Sequence, residues 1–88
     1  MKKKVIETKK TKPKEVLLLA KRIKQLRIDK GYSSQETFAY DNDYTLSYYS
    51  RIERGEDIRF TSLVRLSKAL GVNLKTLFSE GFEGLSSK

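Results

Sequence analysis

At 88 residues the chain is long enough for one domain with a modest core, one that buries about 60% of the unfolded surface. The absence of Cys removes disulfides and thiolate metal sites, and the absence of His removes the commonest general base and metal ligand, so neither cofactor nor metal is expected. Of the formal charge of +8, +6 sits in residues 1–14, which hold seven Lys and one Glu, and this leaves a nearly balanced body.

With little apolar content and Pro13 near its end, the stretch 1–13 reads as a disordered basic arm. Helix 1 is predicted over residues 14–30, where Val16, Leu19, Ala20, Ile23 and Leu26 recur at helical spacing and Gly31 is the stop. Helix 2 starts at Ser34 or Ser33. Either hydroxyl can accept a first-turn amide, and Ser33 with Glu36 also fits a capping box. Phe38 and Ala39 turn inward, and Asp41, Asn42 and Asp43 end the helix, since Asn and Asp tolerate left-handed backbone. Tyr44 is an inward anchor and Thr45 the N-cap of helix 3. In helix 3, Tyr49 and Ile52 share one face, Leu46, Ser47, Ser50 and Arg51 fall elsewhere, and Gly55 closes the end. Thr61 is expected to cap helix 4, which carries Leu63, Leu66 and Leu70. Asn73 is expected to cap helix 5, with Leu74, Leu77 and Phe78 on one face and Gly81 beyond it. Residues 83–88 read as a flexible end. The fold class is therefore all-α: five helices over residues 14–82.

Residues 34–55 form a short helix, a tight polar turn and a second short helix closed by glycine. That is a helix-turn-helix, whose second helix suits the DNA major groove. The chain resembles the phage repressor/Cro-like (Xre) family on Ile23, Leu26, Arg27, Gly31, Gln35, Phe38 and Ala39. The likeness continues through the run from Ser47 to Gly55 and on to Leu63, Leu66, Ala69, Leu70, Gly71, Val72, Leu77 and Phe78. Small restriction–modification controller proteins of that family are similar in length and in the Tyr-x-Ser-x-Ile-Glu-Arg stretch that begins at Tyr48. The resemblance implies a compact lambda-repressor-like domain that binds double-stranded DNA. It also implies that Arg27 and Glu53 meet as a buried ion pair joining helix 1 to helix 3; two independent surface charges are the alternative.

By position, Leu46, Ser47, Tyr48 and Arg51 face base edges, and Arg51 can grip guanine O6 and N7 in two hydrogen bonds. Tyr48 either meets a base or sugar or packs on its own helix. Gln35 and Thr45 at helix starts suit phosphate clamping, and Ser50, Arg54 and Arg59 border the same surface. Leu46 departs from the polar or basic residue that relatives often carry. Glu56 and Asp57 depart in another way, by making the loop after helix 3 acidic. The basic arm either adds phosphate contacts or merely solubilises the chain. A single reading helix covers few base pairs, so a homodimer is expected, built from helix 5 and the segment after it (Leu74, Leu77, Phe78, Phe82 and Leu85). In the alternative, helix 5 folds back on helix 1 and fills the core.

The expected function is a sequence-specific transcriptional regulator, a repressor or controller. An antitoxin-type protein that acts by contact with a toxin is the alternative. Enzyme activity is not expected, because helix termination accounts for the paired carboxylates Asp41 and Asp43. No apolar run approaches about 18 residues and no signal-peptide core follows the first lysines, so a cytoplasmic chain without a membrane span is expected. No small-molecule ligand is evident.

Overall fold

The longest apolar stripe in the chain becomes the longest helix, α1 (Lys14–Asp29), which buries Ala20, Ile23 and Leu26 on one side. In the computed structural model, which describes residues 12–85, four shorter helices follow: α2 (Gln35–Asp41), α3 (Leu46–Glu53), α4 (Phe60–Ala69) and α5 (Leu74–Leu77). The described residues contain no strand and no helix long and apolar enough to cross a membrane. The basic arm, apart from Lys12 and Pro13, lies outside the described residues, as do residues 86–88.

Each helix, with its cap, contributes one to three side chains to a single core: Ile23 and Leu26, Phe38 and Ala39, Tyr49 and Ile52, Leu63, Leu66 and Leu70, and Leu77. Tyr49 and Phe38 are fully enclosed and their rings meet at 4.9 Å, where a tilted aromatic pair packs favourably. Ala39 is buried where α2 packs on α3, and a larger side chain there would hold the two helices apart.

Caps fix where the elements start. Ser34, not Ser33, caps α2 by accepting from the Thr37 amide at 3.1 Å, and Asn73 caps α5 by accepting from Thr76 at 2.8 Å. The Thr61 cap is not formed. Helix α4 begins earlier, at Phe60, with Arg59 in the cap position and no side-chain cap bond. Ile58 and Leu63 occupy the two positions of a hydrophobic staple around that start, and both join the core. Apolar packing thus sets the entry of α4 in place of a hydroxyl.

Arg22 ties α5 to α1. It is 6% exposed, and it donates from Nε to the Leu77 carbonyl at 2.7 Å and from Nη2 to the Thr76 carbonyl at 2.8 Å. These carbonyls stand at the end of α5, where a cation is favoured, and that of Thr76 also accepts from the Ser79 amide at 3.1 Å. Helix 5 therefore does fold back on helix 1. Leu77 is wholly buried within the monomer, whereas Phe78 and Leu85 remain exposed. Of the residues expected at a dimer surface, Leu77 is accordingly a core residue.

Candidate nucleic-acid interface

Helices α2 and α3 pack against each other across a turn whose geometry Asp43 sets. Its φ of +63° is left-handed backbone, and the Tyr44 amide then reaches back to the Ala39 carbonyl at 2.9 Å. Tyr44 anchors the turn by stacking on Phe38 at 6.5 Å and on Tyr48 at 5.8 Å. The neighbouring carboxylate Asp41 accepts from the Tyr32 hydroxyl at 2.9 Å, which ties the end of α2 to the loop after α1.

Thr45 starts α3 by accepting from the Tyr48 amide at 3.1 Å. From there the helix has two faces of opposite character. Tyr49 and Ile52 are buried beneath it. Outward stand Leu46, 45% exposed, Tyr48, 36% exposed, and the exposed Ser47; Ser50 and Arg51 are partly exposed, and Arg54 is exposed at the end. Arg51 Nη1 donates to Ser47 Oγ at 3.0 Å, and Arg54 Nη1 donates to Ser50 Oγ at 2.8 Å. Each arginine therefore lies along the helix surface, supported by a serine one turn earlier. The two basic side chains thus have a defined resting direction on an otherwise uncharged ridge.

A buried network fixes the tilt of that ridge. Arg27 Nε and Glu53 Oε2 are 2.8 Å apart, with side chains 4% and 2% exposed, so the pair is internal. Arg27 Nη2 also donates to Glu53 Oε1 at 3.3 Å, and Nη1 donates to the Tyr32 carbonyl at 2.8 Å. The Tyr49 hydroxyl donates to Glu53 Oε2, and Gln35 Nε2 donates to Oε1 at 2.9 Å. Burial alone would push the Glu53 carboxyl up, but hydrogen bonds from Arg27, Tyr49 and Gln35 overrule it and hold the group below the usual carboxylate range. Burial, with the hydrogen bond to Glu53, pushes the Tyr49 hydroxyl far up, and its bond to Glu53 holds Arg27 above its ordinary value.

The network joins α1, α2 and α3 through one carboxylate. It also shows what Gln35 does in the free chain: its side-chain amide is engaged with Glu53 and does not stand free at the helix start. Sequence reasoning found the ion pair but missed Gln35 and Tyr49 as its further donors. The signal was present, since Tyr49 and Glu53 stand at i and i+4 on one helix and so share a face. Arg22 was also missed, although it falls among Leu19, Ile23 and Leu26 on the apolar stripe, where a charged side chain needs a partner.

A helix-turn-helix family model matches residues 23–77, which include the second part of α1 and all of α2 to α5. The control protein C.BamHI of Bacillus amyloliquefaciens is 39% identical over 62 residues, which make up 69% of this chain and 76% of that protein. C.MunI of a Mycoplasma species is 40% identical over 60 residues, 67% of this chain and 81% of that one. Among solved structures, the wild-type restriction–modification controller protein C.Esp1396I matches with a TM-score of 0.71 at 27% identity, covering 82% of this chain and 94% of its own. A single-residue variant of that controller matches at 0.72, with 26% identity and coverage of 83% and 92%. The chain therefore belongs to the helix-turn-helix family of repressor/Cro-like DNA-binding regulators, among the relatives of the restriction–modification control proteins.

Proposed function

We propose that this protein controls transcription as a homodimer in the cytoplasm, by reading an operator through the major groove with the outward face of α3. The observation that carries the reading is the division of that helix: Tyr49, Ile52 and Glu53 are locked into the body, while Leu46, Ser47, Tyr48 and Arg51 stand outward. Arg51 reads guanine, a bidentate contact worth about 1–3 kcal/mol of discrimination. Leu46 packs on a thymine methyl group. Ser47 is permissive, because a hydroxyl both donates and accepts.

Thr45, Ser50 and Arg54 meet phosphates at the groove edge. The Thr45 oxygen accepts the cap bond with a lone pair, so its hydroxyl hydrogen remains to donate. Gln35 contributes by holding Glu53 and offers its second amide hydrogen to the backbone of the duplex. The lysine-rich arm adds sequence-independent attraction to phosphate. Such binding is non-catalytic: it occludes or recruits the transcription machinery by occupancy.

Dimerisation supplies the reach that one helix lacks, since two-fold partners address half-sites about 34 Å apart. The surface proposed for it is the apolar strip left outside the monomer core after Leu77. Phe78 and Phe82 lie ring to ring at 5.2 Å on that strip, with Leu85 beyond.

Selection of bound fragments from a random duplex pool will give the operator, its symmetry and its half-site spacing. On that operator, Arg51→Ala should relax base preference at one position in each half-site and leave binding to unrelated DNA largely intact. A uniform loss across all sequences would contradict the base-reading assignment.

A further inference from the structure

Arg51 is held from two sides. Ser47 supports it from one turn earlier, and beyond the end of the helix Glu56 Oε1 stands 3.5 Å from its Nε. Backbone geometry puts Glu56 there. Gly55 takes φ +96°, its amide donates to the Ile52 carbonyl at 3.1 Å, and the Glu56 amide donates to the Arg51 carbonyl at 3.1 Å. This left-handed glycine closure returns the chain over the last helical turn. Glu56 therefore caps the carbonyl of Arg51 with its backbone and meets the guanidinium of Arg51 with its side chain.

A carboxylate beside a ridge that approaches phosphates opposes binding, so its presence calls for a compensating role. A guanidinium has five N–H donors. Here Nε stands 3.5 Å from the Glu56 carboxylate without a hydrogen bond and one Nη1 donor is given to Ser47, which leaves donors on the two terminal nitrogens. Those form the end-on fork that matches two adjacent acceptors, such as guanine O6 and N7. A phosphate makes no such demand and attracts a freely swinging arginine on any sequence.

We propose that Glu56 is a specificity-setting positioning residue. It directs the Arg51 fork toward the bases, and its charge offsets the attraction of Arg51 for phosphate on unrelated DNA. This inference rests on Arg51 being a base reader. Glu56 raises the ratio of operator binding to non-specific binding at some cost in total affinity.

The test uses the full-length chain and its Glu56→Gln, Arg51→Ala and double variants, titrated against the selected operator and an unrelated duplex over a salt series. Glu56 is more than half exposed, so its amide variant keeps the fold. Glu56→Gln should tighten binding to unrelated DNA more than to operator, so that the ratio falls by about 2- to 5-fold, the factor an exposed ion pair carries. The slope of log affinity against log salt on unrelated DNA should steepen by up to about 0.9, equivalent to one added phosphate contact. In the Arg51→Ala background the same change should move both duplexes by one common factor. An equal shift on both duplexes with Arg51 present would overturn the proposal and leave Glu56 as a repelling surface charge, and an unchanged ratio would also overturn it. Loss of discrimination in Arg51→Ala without any in Glu56→Gln would remove the role of Glu56 alone. Intact discrimination in Arg51→Ala would remove the base reader and the positioning role with it.

Discussion

Changing Glu53 to Gln tests the connection between the core and α3. The carboxylate accepts from Arg27, Tyr49 and Gln35, and it balances a guanidinium that is 4% exposed. An amide of the same shape removes the charge and turns one terminal atom into a donor that faces other donors. Leaving one member of such a pair uncompensated costs about 3–5 kcal/mol. A domain with a total stability of about 5–15 kcal/mol would lose a large fraction of it. The melting temperature should fall on the order of 12 °C or more, at about 4–8 °C per kcal/mol for a chain of this size.

Urea unfolding followed by circular dichroism at neutral pH measures this directly. A loss below about 1 kcal/mol would refute the reasoning, because that is the scale of an exposed, screened pair. A triple replacement, Arg27→Met with Glu53→Leu and Tyr49→Phe, should recover most of the stability, because it removes the three most buried polar groups together and leaves only the partly exposed Gln35 amide and Tyr32 carbonyl without partners. The pH dependence follows from the Glu53 carboxyl being held below its ordinary value of 4.5. A depressed carboxyl adds stability that is fully present above that value and is lost as pH falls through the native one. Wild type should therefore lose stability in acid more steeply than Glu53→Gln, and the gap between them should close below about pH 4.5. A gap that stayed constant into acid would show that the charge is not what Glu53 contributes.

Two further substitutions separate other contributions. Arg22→Met should cost about 2–3 kcal/mol, since the last carbonyls of α5 lose charge-assisted donors. Hydrogen exchange should report the loss first at α5, and uniform loosening across the chain would contradict the local role. Gly55→Ala places a Cβ 2.7 Å from Leu17 Cδ2 and 3.3 Å from Lys12 Cδ, at a φ of +96°. Urea unfolding should show a cost of about 1–2 kcal/mol from the backbone alone, plus the clash. Adding Leu17→Ala should relieve only the clash, so full recovery in the double variant would show that the left-handed backbone contributes nothing.

The sequence made the helices legible because their apolar spacing and their stops agree. Ile23 and Leu26, Tyr49 and Ile52, and Leu63, Leu66 and Leu70 all reach the core that their periodicity predicts. The start of α4 was not legible from capping residues, because Thr61 is a good cap by type while Ile58 and Leu63 decide the entry by packing. The Arg27–Glu53 pair came through resemblance. Gln35 could not be placed by the same route: an amide at a helix start suits a phosphate as well as a carboxylate, and only the fold brings Glu53 within 2.9 Å. By residue type Glu56 reads only as a departure that makes the loop after α3 acidic. The glycine closure that returns it to Arg51 is a three-dimensional fact, and residue type alone does not carry it.

The two faces of α3 make opposite physical demands on one short element. Eight residues cannot hold a helix by propensity, since isolated helices below about 12–15 residues are marginal in water. If α3 reads DNA as proposed, Leu46, Ser47 and Arg51 can vary with the operator only if they bear none of that load, whereas Tyr48 bears a part of it by stacking on Tyr44 at 5.8 Å. Tyr49, Ile52 and Glu53 bear the rest, through the aromatic contact with Phe38 and the ion pair with Arg27. Exchanging Leu46, Ser47 and Arg51 for the side chains of a relative should therefore transfer operator preference with little change in unfolding free energy. A transplant that cost as much stability as breaking the Arg27–Glu53 pair would mean that reading and folding share the same residues, and the division argued for this helix would fail.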